Sequence, residues 1–292
     1  MRPHTLNDVI GQDCLLSDKS FFLRSAVEAN CLPSFILWGS PGTGKTSIAR
    51  AIVNSCPWYR FVSLSAVTAG VKDVISDVVD EAKRIHINTT VRTVLFVDEV
   101  HRFNKSDQLD SILPVIEDGS IVFIGATTEN PSFHLIKPLL SHCNVRVLIL
   151  NLLEPVHIAA ILRRACDDRD KGLVCSLGFM PKEIQVSDEV VEYLAQHCHG
   201  NARVALNALE ISSITAAARL GYNIGNNVLD DLDKNVDVVL SVNIDDAKQA
   251  LQSKHLSYDK GGEDHYKLIR ALHKPVKGSD ENALIYWHCR ML

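Results

Sequence analysis

The sequence predicts an α/β fold, a parallel sheet flanked by helices, followed by a smaller all-helical domain. Three observations carry this. Short apolar, β-rich runs alternate with helical patterns up to about residue 152. A glycine-rich loop stands between the first run and the first of those helices. Beyond residue 152 helical patterns continue, with no strong strand among them.

Residues 35–38 (FILW) open the sheet as a continuous apolar run. Residues 61–66 (FVSLSA), 93–97 (TVLFV), 120–126 (SIVFIGA) and 145–150 (VRVLIL) supply the remaining strands. A strand covered on both faces is apolar at successive positions, whereas a half-exposed strand alternates. Helices are expected at 46–55, 71–86 and 106–117, and within 71–86 Val74, Val78, Val79 and Ala82 are expected on one face. Strands alternating with helices predict βαβ units in a doubly wound sheet. Later helices are expected at 155–169, 187–199, 202–220 and 245–254, with residues 221–244 as a loop or short insertion.

The chain has 292 residues, about two domains at the usual size. Lys and Arg number 30 against 35 Asp and Glu, a formal charge of −5, and 46% of residues are hydrophobic. This is an ordinary globular composition, too apolar for a disordered chain and too acidic for a histone-like basic coat. A local basic track is still compatible with it. No apolar run approaches the ~18 residues of a membrane span. Met1-Arg2-Pro3-His4-Thr5 lacks the apolar core of a secretory signal.

The eight cysteines, Cys14, Cys31, Cys56, Cys143, Cys166, Cys175, Cys198 and Cys289, are irregularly spaced with no Cys-x-x-Cys pair. They are expected to be reduced and mostly to act as small buried hydrophobes. His197-Cys198-His199 is the one local cluster. Successive residues on a helix face different ways, so a helix end is expected there rather than a metal site.

Gly39-Ser40-Pro41-Gly42-Thr43-Gly44-Lys45-Thr46 fits G-x-x-x-x-G-K-[ST] between a strand and a helix. Glycines let backbone N–H groups turn inward to cradle phosphate oxygens, and the following helix points its positive end at the anion. Lys45 is placed to meet the β- and γ-phosphates, and the Thr46 hydroxyl to ligate Mg²⁺. The strand at 93–97 ends in Asp98-Glu99. Carboxylates at a buried strand end need cationic partners. Asp98 is therefore read as held by Mg²⁺ or its water shell, and Glu99 as the group that orients a water against the γ-phosphate. Having both acids favours ATP hydrolysis over binding alone.

FVDEVHRFNKS, IGATTENPSF, GNARVALNALE (200–210) and YDKGGEDHYKLIRALHK (258–274), together with GSPGTGKT, resemble the RarA/MgsA family of AAA+ ATPases, which includes the Werner helicase-interacting protein. The similarity runs over nearly the whole chain, and the 258–274 motif is characteristic of the family. The resemblance implies an AAA+ α/β nucleotide-binding domain over 1–151, a helical lid over 152–254, and over 255–292 the start of a C-terminal oligomerisation domain that should continue. It implies that Ile10 and Gly11 contact the adenine. It assigns Thr128 as the first sensor at the γ-phosphate or attacking water, and Arg203 as the second sensor reaching from the lid. By themselves Thr127 and Thr128 read more readily as a helix or turn cap. Arg203 by itself is a surface cation at a helix start, unfavourable against the dipole.

The sequence also departs from the family. Where relatives carry Leu-Leu-Ser-Arg-Cys, with an arginine finger for the neighbouring subunit's ATP, this chain reads Leu139-Leu140-Ser141-His142-Cys143. His142 lacks the planar fork and permanent charge of Arg, and losing a finger costs ~10³ or more in rate. Turnover activated in trans is expected to suffer unless nearby Arg146 substitutes. Pro275 stands where the family has Ser, and Ser106-Asp107-Gln108-Leu109-Asp110 is one residue longer than the family's segment.

The family's action on DNA at stalled or damaged replication forks implies forked, gapped or single-stranded DNA as partner, bound without sequence preference. It also implies a homo-oligomer, helicase or polymerase partners, no membrane, and a nuclear location in a eukaryote or a cytoplasmic one otherwise. Residues 254–278 hold six Lys and Arg against three acids. Arg270, His273, Lys274 and Lys277 share one helical face. An ordinary solvated face or an oligomer contact fits them as well. His101-Arg102 and Lys105 are a second DNA candidate. Two rival functions stand beside the main one: a clamp-loader small subunit or Holliday-junction motor, and an ATP-binding scaffold with little or no hydrolysis.

Overall fold

The structure, a computed structural model, describes residues 2–16, 21–65, 71–102, 112–131, 145–168, 172–176, 181–220 and 236–252. Met1–Ala250 form one compact unit and Leu251–Leu292 a second. The second lies almost wholly outside the described residues, and with it the 258–274 motif, Pro275 and the basic face. His142, Lys105, the 106–110 insertion and the first half of the expected helix 106–117 also lie outside them.

The order of elements begins with α1 (Asp13–Leu16) and α2 (Phe21–Glu28), then β1 (Phe35–Trp38), α3 (Lys45–Asn54), β2 (Tyr59–Ser65), α4 (Val71–Asn88) and β3 (Arg92–Asp98). It continues with α5 (Leu113–Glu117), β4 (Ile121–Thr127) and β5 (Arg146–Ile149). The five strands form one sheet in the order β2-β3-β4-β1-β5, with every neighbouring pair parallel. All five therefore end on the same edge, where open α/β sheets hold their ligands.

Both faces of the sheet are covered, which explains the uninterrupted apolar runs. Phe35 and Leu37 of β1, Val94 and Phe96 of β3, and Val122 and Ile124 of β4 face the side packed by Ile48 and Ile52 of α3. Ile36, Leu95, Val97, Ile121 and Phe123 face the other side, against Ile75 and Val79 of α4 and Val115 of α5. The buried stripe of α4 runs Ile75, Val79, Ala82, while Val78 is only partly buried. Val78, Val79 and Ala82 of the expected face thus lie on the core side with Ile75, while the side chain of Val74 lies outside the described residues.

The second region holds α6 (Pro155–Asp167), α7 (Leu173–Ser176), β6 (Pro181–Val186), α8 (Asp188–His197), α9 (Ala202–Arg219), β7 (Val236–Val242) and α10 (Ile244–Gln252). The helices fall close to where the sequence puts them. Two strands do not: β6 and β7 pair in parallel, Ile184 opposite Leu240 and Val186 opposite Val242. The expectation of loop throughout 221–244 is thus corrected for 236–242. β6 (PKEIQV) is half polar, β7 (VDVVLSV) follows an Asp-rich segment, and the partners lie more than 50 residues apart in sequence. Burial of Leu240 and Val242 fixes the register.

α8 ends at His197, whose ring stacks on Tyr193 with centroids 4.1 Å apart, and Cys198 is buried at the cap. No helix among the described residues is long and apolar enough to cross a membrane.

Phe96 is fully buried at the centre of the sheet, with its ring 5.8 Å from that of Phe61. Phe96→Ala is expected to cost ~3–5 kcal/mol of unfolding free energy, read by equilibrium denaturation. A loss below ~1 kcal/mol would contradict this placement in the core.

Candidate nucleotide-binding site

The loop 39–44 leaves the end of β1 and enters α3. Its first residue is anchored sideways, since Gly39 N–H donates to Thr127 O at the end of β4 (3.2 Å). At two positions the backbone angle itself calls for glycine. Gly42 (φ +77°) and Gly44 (φ +98°) lie in the left-handed region, which turns successive N–H groups toward one centre. At Gly42 space is a second constraint, because a Cβ there would collide with Asn201 Oδ1.

Asn201 is the N-cap of α9: its Oδ1 accepts from Val204 N–H (3.1 Å). Ala202 N–H, one residue on, donates to Gly42 O (3.2 Å). The loop is thereby seated directly on the first turn of the helix that carries Arg203.

Lys45 is almost buried, and its Nζ donates to Gly39 O (2.7 Å) and Ser40 O (2.9 Å). Burial pushes its ammonium below the ordinary lysine pKa. The Glu99 and Asp98 carboxylates pull it back up, and Arg203 pushes it down again. Thr46 Oγ1 donates to Asp98 Oδ2 at 3.4 Å. A hydroxyl and a carboxylate oxygen at this spacing are hard donors that fit Mg²⁺, which takes few protein ligands and completes its shell with phosphates and waters.

Glu99 follows β3 with φ +54°, a left-handed conformation uncommon outside glycine. Its own N–H donates to Asp98 Oδ1 (3.1 Å), and Arg102 N–H donates to Glu99 O (2.9 Å). The chain therefore turns sharply at the residue expected to direct a water. The two acids are half-buried at the sheet edge, more open than a buried pair. Thr128, just past the end of β4, donates its hydroxyl to Glu99 Oε2 (3.4 Å).

Lys45, Thr46, Asp98, Glu99, Thr128 and Arg203 line one polar cavity of about 300 Å³, together with Pro41, Gly42 and Gly44. A second, more apolar cavity of about 330 Å³ adjoins it, sharing Gly42, Gly44, Ser47, Ala202 and Leu206. Val9, Ile10, Ile48, Leu173 and Leu209 line this second space, which suits a planar base. Gly11 packs instead against Leu153 and His157. Ser40 lies at the loop's outer turn, where its carbonyl also accepts from Thr43 Oγ1 (2.9 Å).

Sequence reasoning missed three supports. Gln12 is buried, donates to Asn151 O (2.7 Å) and Thr43 O (3.4 Å), and accepts from Asn151 N–H (3.0 Å). Arg164 of α6 donates to Asp8 O (2.6 Å) and so ties the pocket-lining segment to the second region. Asn201 is the third. Only Asn201 carried a signal, as a cap residue ahead of a helical run. His101, expected as a DNA contact, has a side chain only 9% exposed and turned inward onto Glu99. The left-handed turn at Glu99 folds it back.

The model for the ATPase family associated with various cellular activities (AAA) matches residues 35–150, and that for the AAA C-terminal domain matches residues 180–277. Aligned along its whole length, the chain is 38% identical to replication-associated recombination protein A of Haemophilus influenzae and 40% identical to that of Escherichia coli K12. It is 39% identical, again along its whole length, to ATPase WRNIP1 of Dictyostelium discoideum. It spans 59% of the length of the two bacterial relatives and 32% of the Dictyostelium one. Among solved structures, the Thermotoga maritima RuvB Holliday junction branch migration motor matches with a TM-score of 0.64 at 20% identity, covering 94% of this chain and 80% of that one. That likeness is one of fold.

Gly42→Ala and Gly44→Ala separate backbone conformation from contact. Both place a side chain at positive φ, at a cost of ~1–2 kcal/mol. Only the substitution at Gly42 also drives a Cβ into a neighbour, since a Cβ at Gly44 is 3.8 Å from Ile48. Gly42→Ala is expected to lose at least ~1 kcal/mol more than Gly44→Ala in urea unfolding, and Asn201→Gly to recover part of that difference. Equal losses would show that the loop does not depend on its seat.

Proposed function

We propose, for a chain that belongs to the AAA+ ATPases and within them to the group of replication-associated recombination protein A and WRNIP1, that it binds and hydrolyses ATP and couples this to work on DNA. The observation that carries the reading is the convergence of Lys45, Thr46, Asp98, Glu99, Thr128 and Arg203 on one cavity, drawn from both regions of the compact unit.

ATP lies with its base against Val9 and Ile10 and its phosphates in loop 39–44. Lys45 and the inward N–H groups hold the β- and γ-phosphates. Thr46 and Asp98 hold Mg²⁺, which supplies neutralisation of charge on the phosphate oxygens. Glu99 orients a water in line with the γ-phosphate. Thr128 meets that phosphate or the water, and Arg203 senses it from the helical lid. Because the loop sits on the cap of α9, a change at the γ-phosphate reaches the lid through Arg203 and through Gly42 together.

The domain reading is 1–151 for nucleotide binding, 152–254 for the lid, and 255–292 for the opening of an oligomerisation domain. The substrate is DNA at stalled or damaged replication forks, bound through its phosphates without sequence preference. A homo-oligomer brings His142 toward the neighbouring ATP. The work is done in the nucleus of a eukaryote or the cytoplasm of a bacterium. Sequence similarity to proteins named for replication-associated recombination supports this reading.

Steady-state ATP hydrolysis with and without forked DNA tests it. DNA is expected to raise turnover. Lys45→Ala is expected to abolish nucleotide binding, and Glu99→Gln to keep binding while losing ~10² or more in turnover. ATP binding with no turnover under either condition would replace the enzyme reading with a scaffold. His142→Arg is expected to raise turnover in the oligomer, and no change would remove the finger from the account.

A further inference from the structure

Glu99 does not stand alone at the strand end. His101 is folded beneath it with only 9% of its side chain exposed. His101 Nδ1 lies 3.3 Å from Glu99 Oε2 and 3.0 Å from Thr127 Oγ1. On the other side of the ring, Nε2 lies 3.6 Å from Glu129 Oε1.

The hydrogen-bond inventory around Thr127 decides the direction of the short contact. The Thr127 hydroxyl donates to Glu129 O (3.2 Å) and accepts from Glu129 N–H (3.1 Å). Its single proton is committed, so toward His101 it can only accept. Glu99 is a carboxylate and also accepts. The hydrogen bond of Nδ1 goes to Thr127 Oγ1, and the same ring edge lies against the Glu99 carboxylate at ion-pair distance. The imidazole thus sets its Nδ1 edge against the carboxylate on which the water-orienting role rests, while its hydrogen bond anchors it to the end of β4, where Thr127 is fully buried.

Oε2 of Glu99 is also the atom that accepts from Thr128. Thr128 is the group expected at the γ-phosphate. Whenever Thr128 turns to phosphate, its bond to Glu99 is given up and the close contact with the His101 ring is what still holds Oε2. A carboxylate free to rotate at a half-open strand end would sample several rotamers. One held by a buried ring does not.

We propose that His101 is a positioning residue for ATP hydrolysis: anchored on Thr127, its Nδ1 edge holds the Glu99 carboxylate beside the β4 end that carries Thr128. This rests on the ATPase reading above. His101 touches neither nucleotide cavity, so it acts on the chemical step and not on nucleotide affinity.

The test measures kcat, KM and fluorescent-nucleotide affinity for the 292-residue chain and four variants, with melting curves as the check on folding. His101→Ala is expected to lower kcat by ~10- to 100-fold while KM and affinity stay within about twofold. Asn places its amide nitrogen near where Nδ1 stands, whereas Gln reaches toward Nε2. His101→Asn is therefore expected to recover most of kcat and His101→Gln little of it. If the Ala variant melts early, the Asn to Gln ratio of kcat still decides, because both fill the pocket. Equal kcat in Asn and Gln, or a parallel rise in KM, overturns the proposal. Parent turnover that Glu99→Gln abolishes but His101→Ala leaves intact also overturns it and leaves the ATPase reading standing. Absence of turnover in the parent removes that reading and this one with it.

Discussion

The contact between Gly42 and the first turn of α9 is the constraint on which the rest of the site depends. A loop that cradles phosphates needs positive φ at Gly42 and Gly44, and such a backbone has no helix or sheet ladder of its own to hold it. Here it is held from outside. Ala202 N–H donates to Gly42 O, Asn201 fills the space a side chain would take, and Thr127 O receives Gly39 N–H. The Asn201 side chain that packs on Gly42 also caps the helix that brings Arg203 to the cavity. Loop geometry and the position of α9 are therefore one structural fact.

The acid side of the site rests on a different local device. β3 delivers Asp98 and Glu99 at the sheet edge, but a strand continued straight would send residues 100–102 away from the cavity. The left-handed turn at Glu99 instead starts a short 3-10 turn (Val100–Arg102) that buries Val100 in the core and returns His101 beneath the carboxylate. Backbone strain of about 1–3 kcal/mol at such a residue persists only where surrounding packing over-determines it. The burial of Val100 and the bond from Arg102 N–H to Glu99 O are the packing in question.

Much of this was legible in the amino-acid order, for a physical reason. Strands covered on both faces must be apolar throughout, so β1, β3 and β4 announce themselves, and the spacing of glycines, Lys45 and Thr46 leaves few structures open. What escaped was the part set by contacts between distant segments. β6 is half polar and β7 lies more than 50 residues further on, so the pairing that joins them has no local signal. The inward turn of His101 depends on one backbone angle at Glu99, which no periodicity encodes. Gln12 reads as a polar residue in a loop until its partners at Thr43 and Asn151 are seen.

That glutamine has a consequence for how the molecule comes together. Its side chain closes a span of 139 residues to Asn151 and a second of 31 to Thr43. A bond of such long sequence separation gains nothing until the intervening sheet has assembled, because the entropy of closing the loop comes first. The bonds of Gln12 therefore form only once the sheet has brought residues 12, 43 and 151 together.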